Sequence, residues 1–171
     1  SLIRPEATGY GSVYYSQNIF AFQGETLEGK ICTVSGSGNV AQYTIEKCMD
    51  LGAKCVTCSD SGGYIHEPAG FTRAQLAYIM ELKNVKRGRI KEYADKFGCK
   101  YYANGESVKN PWHVGNIDVA LPCATQNELD KEDAEALVAG GCVAVSEGAN
   151  MPTTPDAVDL LIEKGVSFGP G

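Results

Sequence analysis

The stretch that decides the fold is Lys30-Ile-Cys-Thr-Val-Ser-Gly-Ser-Gly-Asn-Val-Ala41. Residues Lys30 to Ser35 form a short β-branched run, which is typical of a buried strand. Gly36 to Ala41 fits the pattern G-x-G-x-x-G/A and opens a helical pattern over Gly38 to Leu51. A glycine-rich turn between a strand and a helix is typical of the first unit of a dinucleotide-binding α/β domain.

Each residue type in this turn has a mechanical reason. Gly36 permits a tight turn, Gly38 lets the backbone approach a pyrophosphate, and the small Ala41 lets the helix pack closely on the strand. The helix N-terminus offers free N–H groups and the positive end of its dipole to phosphate oxygens. We therefore expect a pyrophosphate site here; an ordinary glycine turn is the alternative.

Strand and helix patterns alternate along the rest of the chain. We expect further strands over Ala53 to Ser59, Lys100 to Tyr102, Ile117 to Leu121, Cys142 to Ser146 and Val166 to Phe168. We expect the remaining helices over Thr8 to Phe22, Thr72 to Leu82, Arg89 to Phe97, Asp130 to Ala139 and Thr154 to Lys164, and a polar loop over Ala103 to Gly115. Such alternation implies right-handed crossovers. The pattern predicts one Rossmann-like, doubly wound α/β domain over residues 1–171, with a mainly parallel sheet and helices on both faces.

Composition limits the classes of function. The chain has 171 residues and 15 Lys and Arg against 21 Asp and Glu, with no basic block, which argues against binding nucleic acid. No apolar run approaches the ~20 residues of a membrane span. Seven cysteines, mostly in apolar segments, suit the buried reduced thiols of a cytosolic protein. Because dense sequence runs from Ser1 to Gly171, we expect a domain excised from a longer protein.

The end of the second predicted strand bears on coenzyme choice. Asp60 lies where a carboxylate commonly binds the adenosine ribose of NAD. Ser61 and the amides of Gly62 and Gly63 could instead hold the 2′-phosphate of NADP, which Asp60 alone would repel. The basic residues that could neutralise such a phosphate are Lys83, Lys86 and Arg87, unless they form only a solvated helix end. The residues alone leave NAD and NADP both open.

Two later loops follow predicted strands and carry small polar side chains. They are Pro122-Cys-Ala-Thr-Gln-Asn127 and Glu147-Gly-Ala-Asn-Met-Pro-Thr-Thr154. Their amides and hydroxyls suit a ribose or a carboxamide, because strand-end loops assemble the crevice of such a fold. The alternative is helix capping, by Thr125 or Asn127 in the first loop and by Thr153 or Thr154 in the second.

Other candidate sites are unconvincing. Cys55 and Cys58 have the spacing of zinc ligands, but they lack a partner pair and would face opposite sides of one strand. His66 and His113 lie in predicted loops, and we interpret them as surface histidines. The sequence predicts no metal site and no catalytic acid, base or nucleophile.

The segment Arg4-Pro-Glu-Ala-Thr-Gly-Tyr-Gly11, the glycine turn and both later loops resemble the hexameric bacterial-type glutamate dehydrogenases. The resemblance extends over the whole chain but only over that family's coenzyme-binding domain. The resemblance implies that the pyrophosphate is contacted by Ser37, Gly38, Asn39 and Val40. It also implies that Thr8 reaches the nicotinamide carboxamide. The nicotinamide and its ribose would be lined by Ala124, Thr125 and Asn150. Asp60, Ser61, Lys83 and Lys86 match positions of NADP-preferring members, which favours NADP over NAD.

The resemblance also implies a reaction for the parent enzyme. That reaction is the reversible oxidative deamination of L-glutamate to 2-oxoglutarate and ammonia, in a cytoplasmic homohexamer. The family's substrate segment, with its catalytic lysine and aspartate, would precede Ser1, so we expect this chain to bind coenzyme without turning over glutamate. The alternatives are a leucine or phenylalanine dehydrogenase, a non-catalytic nucleotide-sensing module, and an adenosylmethionine-dependent methyltransferase.

Overall fold

The computed structural model describes residues 5–22, 24–105 and 110–169, without the side chains of residues 5–9 and 22. The strands are β1 (Ile31–Val34), β2 (Lys54–Cys55), β3 (Thr57–Asp60), β4 (Gly63–His66), β5 (Lys100–Ala103), β6 (Val119–Leu121), β7 (Ala144–Ser146) and β8 (Ser167–Gly169). The helices are α1 (Pro5–Phe22), α2 (Asn39–Asp50), α3 (Arg73–Asn84), α4 (Lys91–Phe97), α5 (Lys131–Ala139) and α6 (Pro155–Glu163). No helix in these ranges is long and apolar enough to cross a membrane.

Five strands form a parallel sheet in the order β2-β1-β6-β7-β8. Val119 and Leu121 of β6 belong to one apolar core, while Ala120 between them belongs to a second. The first core takes side chains from α1 to α4, and the second takes side chains from α5 and α6. Helices therefore cover both faces of the sheet, as the alternating pattern predicts. The six predicted helices and the strands at β1, β6, β7 and β8 are confirmed, with shifted ends.

The prediction of one strand over Ala53 to Ser59 is wrong. The parallel strand β2 ends at Cys55, and the chain then turns into a separate antiparallel sheet of β3, β4 and β5. The Thr57 hydroxyl accepts a hydrogen bond from Val34 N (2.8 Å) and donates one to Val34 O (2.8 Å). Because these bonds replace backbone pairing with β1, the strand leaves the parallel sheet at this point. The predicted strand near Lys100 is confirmed as β5, whereas β4 was not expected.

The segment interpreted as a polar loop, Ala103 to Gly115, is partly buried. Asn110 Oδ1 accepts from Trp112 N (3.1 Å) and begins a single 3₁₀ turn over Pro111–His113. Trp112 is only 1% exposed and belongs to the second core. Residues 106–109 of this segment lie outside the described residues.

The interpretation of both histidines as surface residues in loops holds only in part, because both side chains are partly buried. His113 Nε2 lies 2.7 Å from Asp133 Oδ1, and its side chain is only 20% exposed. His66 is on strand β4 and is half-buried. Neither lies in the cavity described below.

The cysteines behave as the sequence predicts, because all seven are free thiols and six of them are buried. Cys55 and Cys58 lie on different strands, so the argument from one continuous strand does not apply to them. Burial raises the pKa of the Cys58 thiol far above its ordinary value, and the charge of Asp60 raises it further. The described part of the chain contains no group of three His, Cys, Asp or Glu side chains placed to hold a metal ion.

Candidate functional site

A cavity of about 580 Å³ opens where β1 and β6 end, beside the β3–β4 hairpin. This volume is in the range of small-ligand sites. Its lining includes seven of the sequence-predicted site residues: Gly36, Ser37, Asp60, Ser61, Lys83, Ala124 and Thr125. Residues from strands far apart in sequence therefore meet in one place.

The glycine turn lies at the base of this cavity. Gly36 has a φ of +84°, and a Cβ there would lie 3.0 Å from Cys123 O and 3.3 Å from the Ala124 Cα. Gly36 N donates to Ser59 Oγ (2.7 Å), and Ser59 N donates back to Gly36 O (3.0 Å). The predicted need for glycine is confirmed here: the turn is left-handed, tight and bonded to β3.

Gly38 is the N-cap of α2. A Cβ at this position would have no protein atom within 4 Å, so packing within the protein does not require glycine there. Without a side chain, Gly38 offers no cap to the first N–H groups of α2, which have no acceptor inside the helix. A helix N-terminus without a side-chain cap, entered through an uncrowded glycine, suits an anionic ligand.

Gln42 connects the turn to the end of α3. Its Nε2 donates to Ser37 O (2.8 Å), and its amide exchanges two hydrogen bonds with the amide of Asn84 (3.0 Å each). Gln42 is 2% exposed. Because Lys83 precedes Asn84, this contact fixes the distance between the turn and that lysine.

The Asp60 carboxylate organises the basic side of the cavity. Its Oδ1 accepts from Gly62 N (2.9 Å), and its Oδ2 accepts from Ile90 N (2.7 Å) and Lys83 Nζ (3.3 Å). Arg89 Nε lies 3.7 Å from the same Oδ2. Burial alone would raise the pKa of the Asp60 carboxyl, but these amides and cations outweigh burial and lower the pKa. Asp60 is therefore ionised and fully engaged with the protein.

Arg89 contributes to the cavity although the sequence analysis did not select it. Its Nη2 donates to Ser61 Oγ (2.6 Å), and its side chain is 57% exposed. Lys83 and Arg89 also line a neighbouring cavity of about 660 Å³, together with Asn39 and Arg87. The run of basic residues beyond α3 was the available signal, but only the fold shows which of them face the cavity.

Four predicted residues line neither of these cavities: Gly38, Val40, Lys86 and Asn150. Lys86 is exposed and lines neither of them. Val40 follows the turn in α2 without lining either cavity, and Asn150 is exposed on the loop after β7. Thr8 lies in α1, but its side chain is outside the described residues.

The loops after β6 and β7 are bonded to each other. Asn127 N donates to Met151 O (3.1 Å), and Leu129 N donates to Pro152 O (2.9 Å). These bonds hold the loop of Asn150 beside the loop of Thr125. Gly148 has a packing reason, since a Cβ there would lie 2.7 Å from Cys123 Sγ.

The capping alternatives for these loops are resolved by the helices themselves. Helix α5 is capped by Asp130, whose side chain accepts from Asp133 N (2.9 Å), so Thr125 and Asn127 do not cap it. Thr154 is at the N-cap position of α6, but its hydroxyl donates to Asp156 Oδ1 (2.6 Å) instead of capping the helix.

Glu128 is a further cavity residue that the sequence analysis did not select. It directly follows the loop that ends at Asn127, and this position is the only feature of the sequence that could have indicated it. Its Oε2 accepts from Ala124 N (2.9 Å) and Thr125 N (2.9 Å). Burial raises the pKa of the Glu128 carboxyl, with hydrogen bonds from Ser35, Thr125 and Ala124 opposing part of the rise.

Relatives of known identity match the entire chain. It is 59% identical over 171 residues to a glutamate dehydrogenase of Bacteroides thetaiotaomicron, covering 100% of this chain and 37% of that protein. It is 56% identical to an NADP-specific glutamate dehydrogenase of Haemophilus influenzae, with the same coverage. The crystal structure of Plasmodium falciparum glutamate dehydrogenase superposes with a TM-score of 0.91 at 43% identity, covering 99% of this chain and 36% of that one.

The chain thus spans little more than a third of the length of these relatives. The sequence model of the Glutamate/Leucine/Phenylalanine/Valine dehydrogenase family matches residues 1–171, and the chain belongs to this family.

Proposed function

We propose that this chain is the Rossmann-like coenzyme-binding domain, residues 1–171, of an NADP-dependent glutamate dehydrogenase. The observation that carries the choice of NADP is the engagement of Asp60 by two backbone amides, Lys83 and Arg89. Both oxygens of this carboxylate already accept hydrogen bonds and its side chain is only 6% exposed, which makes it a poor acceptor for the 2′-hydroxyl of NAD. It instead holds two cations at the cavity, where a 2′-phosphate would find them.

The coenzyme would lie along the line of predicted residues. Ser37, Gly38, Asn39 and Val40 hold the pyrophosphate through the turn and the first turn of α2. Lys83, Arg89 and Ser61 bind the 2′-phosphate, with Lys86 adding charge from outside the cavity. Ala124, Thr125, Asn150 and Thr8 complete the nicotinamide end.

The parent enzyme would catalyse the reversible oxidative deamination of L-glutamate to 2-oxoglutarate and ammonia, as a cytoplasmic homohexamer. The nicotinamide supplies the hydride acceptor when bound. The residues of this chain bind and orient it, through the turn at one end and the paired strand-end loops at the other. The free thiols are the reason for a cytoplasmic location. Among the family's substrates, glutamate is favoured because the relatives quoted above are named for it.

Calorimetric titration of the chain with NADPH, NADH and adenosylmethionine tests the proposal. We expect NADPH to bind, NADH to bind at least about tenfold more weakly because Lys83 and Arg89 lack their phosphate partner, and adenosylmethionine not to bind. Equal affinity for NADH and NADPH would contradict the assignment of the basic side of the cavity. Glutamate-dependent reduction of NADP by this chain alone would contradict the proposal that it only binds coenzyme.

A further inference from the structure

Glu128 presents a fixed carboxylate to the cavity. Its side chain is held by the amides of Ala124 and Thr125, both 2.9 Å from Oε2. Its backbone carbonyl accepts from Nε1 of the buried Trp112 (3.4 Å). Both ends of the residue are therefore fixed, and the charge cannot swing away from the cavity that it lines.

This carboxylate is not neutralised by the protein. Within the described part of the chain it forms no ion pair, and the charged side chain acting on it from α5 is Asp133, which is also acidic. The cations of the cavity, Lys83 and Arg89, are engaged by Asp60 at the other side. When Glu128 is ionised, a ligand group beside Ala124 and Thr125 thus meets a carboxylate that no cation of the described residues pairs with.

We propose that the charge of Glu128 strengthens binding of the oxidised coenzyme relative to the reduced one. This inference rests on the proposed function, which puts the nicotinamide beside Ala124 and Thr125. The oxidised ring carries a positive charge and the reduced ring is neutral, while the remainder of the coenzyme is identical. Glu128 therefore attracts one form and not the other, and it acts as a specificity-determining residue for redox state.

The size of the effect follows from Coulomb's law. Unit charges ~10 Å apart at an effective dielectric constant of ~30 interact strongly enough to change an affinity about fivefold. The amide hydrogen bonds of Glu128 do not distinguish the two coenzyme forms, so a purely structural role would change both affinities together.

The test compares dissociation constants of NADP⁺ and NADPH for the unmodified chain and for Glu128→Gln. Glutamine keeps a carbonyl oxygen for the amides of Ala124 and Thr125 but removes the charge. We expect NADP⁺ to bind about fivefold more weakly and NADPH to be unchanged within about twofold. Asp118→Asn is the matched control: it also removes a part-buried carboxylate that accepts from a backbone amide, Ile31 N (2.9 Å), but Asp118 does not line the cavity, so the ratio should hold.

Each outcome decides something. Equal weakening of both coenzymes by Glu128→Gln would overturn the inference and leave the proposed function standing. Failure of the unmodified chain to bind NADPH would instead overturn the proposed function.

If Glu128→Gln does not fold, the inference can still be tested by a measurement on the unmodified chain. The ratio of the two dissociation constants should shift in favour of NADPH as falling pH protonates Glu128, and a constant ratio would overturn the inference. Since both forms carry the 2′-phosphate, its titration cancels in the ratio. The other charged groups that face Glu128 or the cavity are Asp133, Asp60, Lys83 and Arg89.

Discussion

Replacing Asp60 by asparagine separates its two interpretations, as a ribose ligand or as an organiser of cations. The carboxylate is 6% exposed, and its two oxygens accept from Gly62 N, Ile90 N and Lys83 while Arg89 lies beside them. The oxygen of an asparagine can keep the hydrogen bond from Gly62 N. Its NH₂ group then faces three other donors, which are Ile90 N, Lys83 Nζ and Arg89 Nε. The variant loses one charge-assisted bond to an amide, worth about 1.5–3 kcal/mol, and two ion pairs.

The two ion pairs add less than the amide. Lys83 is 17% exposed and Arg89 is 57% exposed, so solvent screens the arginine pair to below about 1 kcal/mol. We therefore expect Asp60→Asn to lower the free energy of unfolding by about 2–4 kcal/mol, measured by urea denaturation. The control is Asp50→Asn, which breaks the exposed pair of Asp50 with Arg73 (2.7 Å) and should cost less than about 1 kcal/mol.

Coenzyme titration of the same variant completes the test. If Asp60 organises cations, NADH binding should stay as weak as in the unmodified chain. A variant of unchanged stability that loses affinity for NADH alone would show that Asp60 is a ribose ligand, and the reasoning from its hydrogen bonds would be wrong.

Three further predictions concern the turn and pH. Gly36→Ala should lower the free energy of unfolding by about 2 kcal/mol or more and abolish tight NADPH binding, because φ is +84° and Cys123 O is 3.0 Å from the new Cβ. The control is Gly29→Ala, where φ is +77° and the space around the new Cβ is open. It should lower the free energy of unfolding by only about 1 kcal/mol in the same denaturation assay. Gln42→Met should lower the free energy of unfolding by about 1–3 kcal/mol and weaken the binding of NADPH, because Ser37 O and the Asn84 amide lose their partner. Unchanged affinity for NADPH would show that the turn holds its position without Gln42. The pKa of Asp60 is lowered in the folded state, so its contribution to stability is present above the unfolded value of about 3.9 and is lost as pH falls through the folded value. The stability difference between the unmodified chain and Asp60→Asn should therefore shrink in strong acid, and a difference that persists there would contradict an ionic cause.

Local sequence patterns predict most of the fold. The turn from β1 into α2 and the helices are confirmed because their signals, glycine at a left-handed position and helical periodicity, act over a few residues. The break between β2 and β3 was missed because its cause is a bond from Thr57 to Val34, which lies 23 residues earlier. Strand β4 was missed for a related reason: its four residues pair with β3 and β5 in an antiparallel sheet that is separate from the parallel one.

The sequence predicts some residues that lie at the cavity but not the contacts between them. Asp60 and Lys83, which the sequence predicts as coenzyme ligands, both line the cavity. The contacts of the Asp60 carboxylate also include Ile90 N, which is 30 residues away, and Arg89 Nε, and no local pattern shows these contacts. Glu128 was missed because its neighbours Ala124 and Thr125 offer only backbone amides, which no residue pattern displays.

The bond from Thr57 to Val34 also bears on the edge of the parallel sheet. It leaves β2 as an edge strand of two residues, too short to offer a row of unpaired backbone groups to another chain. The residues that would have lengthened this edge pair within the β3–β4 hairpin and form a wall of the cavity. The hydroxyl of Thr57 is thus associated both with a short edge strand and with a hairpin that lines the cavity.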